Sequence, residues 1–375
     1  MKTSEIIRRR LANQHLVASA LRNPLEVVST QGAVQSQDFY GALWGLAIRL
    51  QPQSVSVSKR SNLQAGWTES EVEAWFSDGR ILRLHILRPT WHFVAPADVR
   101  WMLMLSAPRV HALNGHMYRK LGVDGPAQKR ALKIFQRALE GGQQLTRSEL
   151  ASALQAGGVP EAQGQRLAYF VMFAELEGLL TSGPRRGKQF TYMLLDERAP
   201  ARGRSLARQD ALAELARRYF GARGPATAHD FAWWSGLTVA DCRAAALSLG
   251  ELRSAELDGK AYWWSEARPP ANSARGAWLL PNFDEYGIGF ADRSHTEPND
   301  YKSLWAGGAL MLPHFYVING RTAGMWKREL QKDEVHITLQ SPFGGNAAAD
   351  ARSLKASIKR YGEFLGLKPV VGMLD

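Results

Sequence analysis

The sequence predicts an α+β chain in which one supersecondary unit recurs three times ahead of a β-rich end. Three observations carry that reading. Helical hydrophobic patterns are followed three times by a hairpin pattern bearing basic or aromatic residues. Breaks rich in Gly, Pro or Arg at 122–126, 198–204 and Pro269-Pro270 separate the repeats. Beyond Pro270 the composition shifts to strand formers and glycine. Helix, helix, second helix, hairpin is the order of a winged helix, whose second helix can enter the major groove while the wing touches backbone. The competing reading is an α+β protein whose hairpins merely cover its core.

The first unit, residues 1–125, shows helical patterns at about 4–21, 24–34, 39–50 and 69–78. Thr68 with Glu71 three residues on is a capping-box signature, and Gly79 ends that helix. Ile81–Leu87 and Trp91–Val94 alternate on either side of Arg88-Pro89-Thr90, which reads as a hairpin turning at those three residues. The second unit, 126–200, predicts helices at about 127–140, 146–156 and 161–180, with Thr146 as the middle cap. Its hairpin turns at Ser182–Lys188, where Arg185, Arg186 and Lys188 on a glycine-bearing tip suit phosphate contact. Arg198–Arg204 reads as a linker. The third unit, 201–275, predicts helices at about 205–220, from Thr227 and at 239–249, then a hairpin closing on Asp258-Gly259. In 276–375, strands flank an Asn319-Gly320 turn, Glu334–Leu339 alternates as another strand, and an amphipathic helix covers about 347–365. Trp233-Trp234 and Trp263-Trp264 are adjacent pairs, so one of each should face outward if extended.

Composition narrows the function classes. At 375 residues the chain can hold two to four compact units. Its net charge of +12, from 47 basic and 35 acidic residues, suits a polyanionic partner or a plain basic surface. The single Cys242 excludes an intrachain disulfide framework and a cysteine zinc site. His111 and His116 lack the i,i+4 spacing of a zinc pair, and no metal or cofactor is expected. The first residues lack a signal-peptide core and no apolar run reaches about 18 residues, so a cytoplasmic chain without a membrane span is expected. No phosphate-binding glycine loop, nucleophile elbow or kinase motif occurs.

The joint Gln35-Ser36-Gln37-Asp38, between two helical patterns, is the candidate site. If extended, Gln35 and Gln37 project to the same side and present uncharged donors and acceptors to one small volume. If helical, they point about 200° apart and the pairing means nothing. They also read as ordinary polar residues of an interhelical turn. Asp38 reads chiefly as the N-cap of the following helix, with a general base as the alternative.

Gln35-Ser36-Gln37-Asp38, His85–Phe93, Leu280-Pro281-Asn282-Phe283-Asp284-Glu285 and Val317–Arg328 together resemble the bacterial winged-helix family that includes the AlkZ and YcaQ DNA crosslink glycosylases. The resemblance spans nearly the whole chain. It implies three winged helices arranged as a C-shaped clamp, a C-terminal β-barrel-like part, and Gln35 and Gln37 as a catalytic Gln-x-Gln motif. Ser36 departs from the apolar residue of the better-known members and leaves the outer pair intact. The implied activity is hydrolysis of the N-glycosidic bond of cationic N7-alkylated purines, crosslinks included. The implied partner is damaged double-stranded DNA, bound by a nucleoid-associated monomer. The resemblance sets His85 and His92 near that DNA, whereas the residues alone equally suit histidines bonded within the hairpin. Arg83, Arg88 and Thr90 share the hairpin and join the expected DNA contacts. Arg321, Lys327 and Arg328 would grip the opposite strand or form a solvated strand face. A winged-helix DNA binder or regulator without catalysis is the second reading. An unrelated enzyme, the third, has no motif behind it.

Overall fold

The computed structural model describes residues 1–57, 61–200, 205–298 and 312–374. The first unit contains α1 (Thr3–Asn13), α2 (Pro24–Gln31), β1 (Val34–Gln35), α3 (Phe39–Ala47), a ribbon of β2 (Gln53–Val57) and β3 (Ser61–Ala65), α4 (Glu69–Ser77), β4 (Leu82–Ile86) and β5 (Arg88–Val94). Local chemistry explains most boundaries. Asn23 accepts the Glu26 N–H ahead of Pro24, and Thr68 forms its capping box with Glu71. The first helix stops near Asn13 rather than 21, because His15 adopts a left-handed conformation (φ 58°) and the Leu16 N–H closes on the Leu11 carbonyl. The hairpin turns at Leu87, in the left-handed region (φ 65°), after a bulge at His85/Ile86. Arg88-Pro89-Thr90, expected to be the turn, instead begins β5. Pro89 lies beyond the short β1 ladder, where its missing N–H costs no pairing.

A long α5 (Val99–Lys120) leads to α6 (Gly125–Leu139), β6 (Leu145–Thr146), α7 (Arg147–Ala156), α8 (Gly164–Leu176), β7 (Leu180–Ser182), β8 (Thr191–Leu194) and the short α9 (Leu195–Arg198). Arg198 caps the last carbonyls of α4, Phe76 and Ser77; residues 201–204 of the expected linker lie outside the described residues. Next come α10 (Arg208–Arg223), α11 (Ala228–Ser235), α12 (Val239–Ser248), β9 (Arg253–Leu257) and β10 (Lys260–Trp264). Asp258 and Gly259, both at positive φ, make the tight turn that dipeptide favours. Trp233 is half exposed and Trp234 buried, but Trp263 and Trp264 are both buried: β10 is covered on both faces, against the expectation of one outward ring.

One order recurs. In each third of residues 24–264 a helix is followed by a short extended piece, two helices and a hairpin, and that piece pairs with the last strand. The sheets run β1-β5-β4 and β6-β8-β7, and in the third case Ala226 bridges Trp263. The C-terminal part holds β11 (Ala277–Leu280), α13 (Glu285–Ile288), β12 (His314–Ile318), β13 (Arg321–Leu330), β14 (Glu334–Gln340), α14 (Ala347–Leu365) and β15 (Lys368–Leu374). Its five strands lie in chain order and curl into a half-barrel, with β15 parallel to β14. Among the described residues no helix is long and apolar enough to cross a membrane.

The half-barrel shares a core with the first unit. Trp44 of α3 sits edge-on to Tyr361 of α14 and donates its Nε1–H to the Leu279 carbonyl at 2.7 Å. Arg49, just past α3, forms a two-pronged pair with Asp284, both contacts 2.8 Å and both side chains buried. A buried carboxylate left without its cation is costly. Arg49→Met should therefore lower unfolding free energy by about 3–5 kcal/mol in urea denaturation.

Candidate active site

The joint is extended through Gln35, the last residue of β1, and bends at Gln37 ahead of α3. Gln35 pairs with His92 in register, and the Ser36 N–H donates to the Trp91 carbonyl at 2.8 Å. Arg88, Thr90 and His92, at alternate positions of β5, share one face of the sheet. Arg88 Nη2 donates to Gln35 Oε1 and the Thr90 hydroxyl to Gln37 Oε1, both at 2.7 Å. Both amide oxygens are thus held on one side of the sheet, each with a second lone pair. Gln35 is 8% exposed, whereas Gln37 is exposed. Gln37 and Trp91 line a cleft of about 840 Å³, whose other lining residues include Ser148 and Ser152 of α7 and Lys188 of the second hairpin.

His92 is fully buried, with Nδ1 3.0 Å from the Thr90 carbonyl. Burial, then the Arg88 charge, pushes its pKa well below the usual histidine range, so it is neutral. Burial also lowers the Arg88 pKa. Asp38 caps α3, accepting the Gly41 N–H at 3.2 Å, and lines a separate 330 Å³ pocket with Asn282, His314 and Lys327.

Several expected DNA contacts are committed elsewhere. Arg83 is buried on the other face, where it lines the same cleft as Gln37 and Trp91, donating to the Ser36 carbonyl at 3.0 Å against the Trp91 and Phe190 rings, and burial lowers its pKa to about 10. Strand alternation put it there, one residue out of step with the Gln face. His85 lies on that same far face, bonded to the buried Glu175 carboxylate and against Trp91. It is a core histidine and not a group near the Gln pair. Arg185 is tucked against the first unit, donating to the Tyr40 hydroxyl at 2.6 Å. Arg186 pairs with Glu149 at 2.8 Å. Arg321, Lys327 and Arg328 belong to the half-barrel: Arg321 and Lys327 are exposed, and Arg328 bonds the Tyr361 hydroxyl of α14. Of the expected set, Gln35, Gln37, Arg88, Thr90 and His92 come together through β5, and Gln37 shares its cleft with Arg83 and Lys188.

Two important residues carried no assigned role in the sequence. Glu285 accepts the Gln35 N–H at 2.8 Å, and Arg223 pairs with Glu285 at 2.6 Å. Glu285 at least lies in the Leu280–Glu285 motif; Arg223 is a lone arginine at a helix end, with no local signal.

A family model described as DNA glycosylase AlkZ-like matches residues 28–364. A relative from Streptomyces sahachiroi, an interstrand DNA cross-link repair glycosylase, is 27% identical over 318 residues, spanning 81% of this chain and 84% of that protein. The solved structure of Streptomyces sahachiroi DNA glycosylase AlkZ shares the fold, with a TM-score of 0.78 and 22% identity over the whole of both chains.

Three imidazoles stay neutral on folding: His92, and His15 and His314, whose pKa values burial lowers to about 4. The unfolded chain protonates them near pH 6.5, so it gains protons the folded chain refuses. Their contribution to stability is complete above pH 6.5 and is lost on acidification. Tm should fall between pH 6.5 and 4, and a His314→Asn variant should show a shallower fall in the same scan.

Proposed function

The chain belongs to the AlkZ-like DNA glycosylase family, and from that premise we propose that it hydrolyses the N-glycosidic bond of cationic N7-alkylated purines in duplex DNA, crosslinks included. The observation that carries this reading is that Arg88 and Thr90, alternate residues of one strand, each hold one of the two carboxamide oxygens, and that Gln37 also lines a large cleft. A purine alkylated at N7 is already positive, so its bond to the sugar is weak before the protein acts. The bond breaks with its electron pair leaving on the base, which departs neutral, and the sugar passes through an oxocarbenium-like state. Water adds at C1′ and releases its proton to solvent. Gln35 and Gln37, through the lone pairs that Arg88 and Thr90 do not use, would hold that water in place. This chemistry calls for no metal, nucleotide or lysine Schiff base, and hence for no strand cleavage.

We read the three recurring α-β-α-α-β-β units as winged helices forming a C-shaped clamp, divided as 1–125, 126–200 and 201–275, with 276–375 as the C-terminal part. A clamp made within one chain suits a monomer working on chromosomal DNA. Arg88 and Thr90 at the site and Lys188 across the cleft would meet the duplex near the lesion. Arg321 and Lys327 are exposed and open to contacts further along it. A second reading, a DNA binder without catalysis, draws on the near-complete burial of Gln35.

Incubation with DNA carrying 7-methylguanine separates the two readings. Wild type should release the base, and Gln35→Ala with Gln37→Ala should slow release by on the order of 10²-fold or more. Release that survives the double substitution removes the mechanism, and no release from any alkylated duplex leaves the binder. Carboxamides do not titrate and His92 is held neutral. The release rate should therefore be flat between about pH 5 and 8; a step in that range would point to an acid such as Asp38.

A further inference from the structure

We infer that the buried Glu285–Arg223 pair is the positioning device for Gln35; this rests on the catalytic reading of that residue. β1 is two residues long and forms the edge of its sheet. Because Ser36 turns its N–H toward β5, the N–H of Gln35, one residue earlier, points away from the ladder. An edge N–H that is buried needs a partner from elsewhere. Glu285 supplies it: Oε1 accepts the Gln35 N–H at 2.8 Å, while Oε2 accepts from Arg223 Nη2 at 2.6 Å and Trp234 Nε1 at 3.0 Å. Arg223 then reaches back along the same segment. Its Nη1 donates to the carbonyl of Gln31, the last residue of α2, at 2.7 Å, and Nη2 donates to the Ala33 carbonyl at 3.1 Å.

The step from helix to strand, Gln31 to Gln35, is therefore fixed by one ion pair drawn from α10 and α13. Both side chains are 0–1% exposed. Neither lines the cleft, so the pair acts on the reaction through the segment that carries Gln35. Its loss would let Gln35 rotate about the joint and draw Oε1 from Arg88. A small displacement of a water-holding group is enough to slow a reaction by about two orders of magnitude.

The test must separate positioning from stability. Glu285→Leu with Arg223→Met removes both charges at once, so no uncompensated ion is left in the core. Glu285→Asp keeps the charge pair but is one methylene short of the Gln35 N–H. In both variants we expect kcat for 7-methylguanine release to fall about 10- to 100-fold, with duplex affinity and KM close to wild type, and a cooperative thermal transition at a midpoint lowered by the buried groups left unpaired. Amide hydrogen exchange should quicken at Gln35 while His92 and Phe93 stay protected. Wild-type kcat in either folded variant, where Gln35→Ala is inactive, overturns the positioning role. Unchanged release by Gln35→Ala itself would instead overturn the catalytic reading, and unchanged exchange at Gln35 would show that the pair does not hold the joint. If the double variant does not fold, Glu285→Asp alone decides by the same readouts.

Discussion

The Glu285 carboxylate is the point on which the rest of the site depends. It is buried, so it must be fully partnered, and its partners come from three remote stretches of chain: Gln35, Arg223 and Trp234. Asp284 beside it faces the other way and binds Arg49 at the end of α3. Two adjacent carboxylates from one motif thus fix both ends of the first unit's central segment, the joint on one side and α3 on the other. Pairs of this kind contribute little net stability, because desolvation offsets attraction, but they strongly disfavour any arrangement that separates them. Their value here is in specifying one geometry. The Gln face belongs to the first unit by sequence but is held in place by the third unit and the C-terminal part.

That division also explains what was legible in the sequence. Elements governed by neighbours a few residues away stand where the residues put them: the Thr68 and Thr146 capping boxes, the Asp258-Gly259 turn, and the Asn319-Gly320 turn with both residues at positive φ. The two glutamines were visible as a pair, and their extended state was one of two open readings. What decided between those readings is a bond to a residue 250 positions away, which no local pattern carries. The same holds for β15, whose parallel pairing with β14 depends on α14 crossing back over the sheet. Arg83 and His85 illustrate a subtler loss. Hairpin residues of suitable chemistry were visible, but their face depends on register: both turn away from the Gln35 side, Arg83 into the lining of the Gln37 cleft and His85 into the core.

The positive charge of the chain must be read through these commitments. A total of +12 suggests a broad basic face, yet Arg10, Arg49, Arg83 and Arg223 are buried, and Arg185 and Arg186 bind within the protein. The charges left beside the Gln pair are Arg88, which bonds Gln35, and Arg83, which bonds the Ser36 carbonyl and lines the Gln37 cleft, since the Glu285–Arg223 pair behind them sums to zero. Under the proposed chemistry a guanidinium next to a developing sugar cation would oppose reaction. Under the proposed reading duplex DNA would supply the remedy: a phosphate flanking the attacked sugar could accept from Arg88, which has five donors and uses one of them on Gln35. Arg88 would then hold the amide oxygen on one side and the DNA backbone on the other, with its charge neutralised by the bound phosphate. On this argument the local field becomes favourable to a cationic transition state upon binding, which ties the order of the reaction to the electrostatics of one side chain.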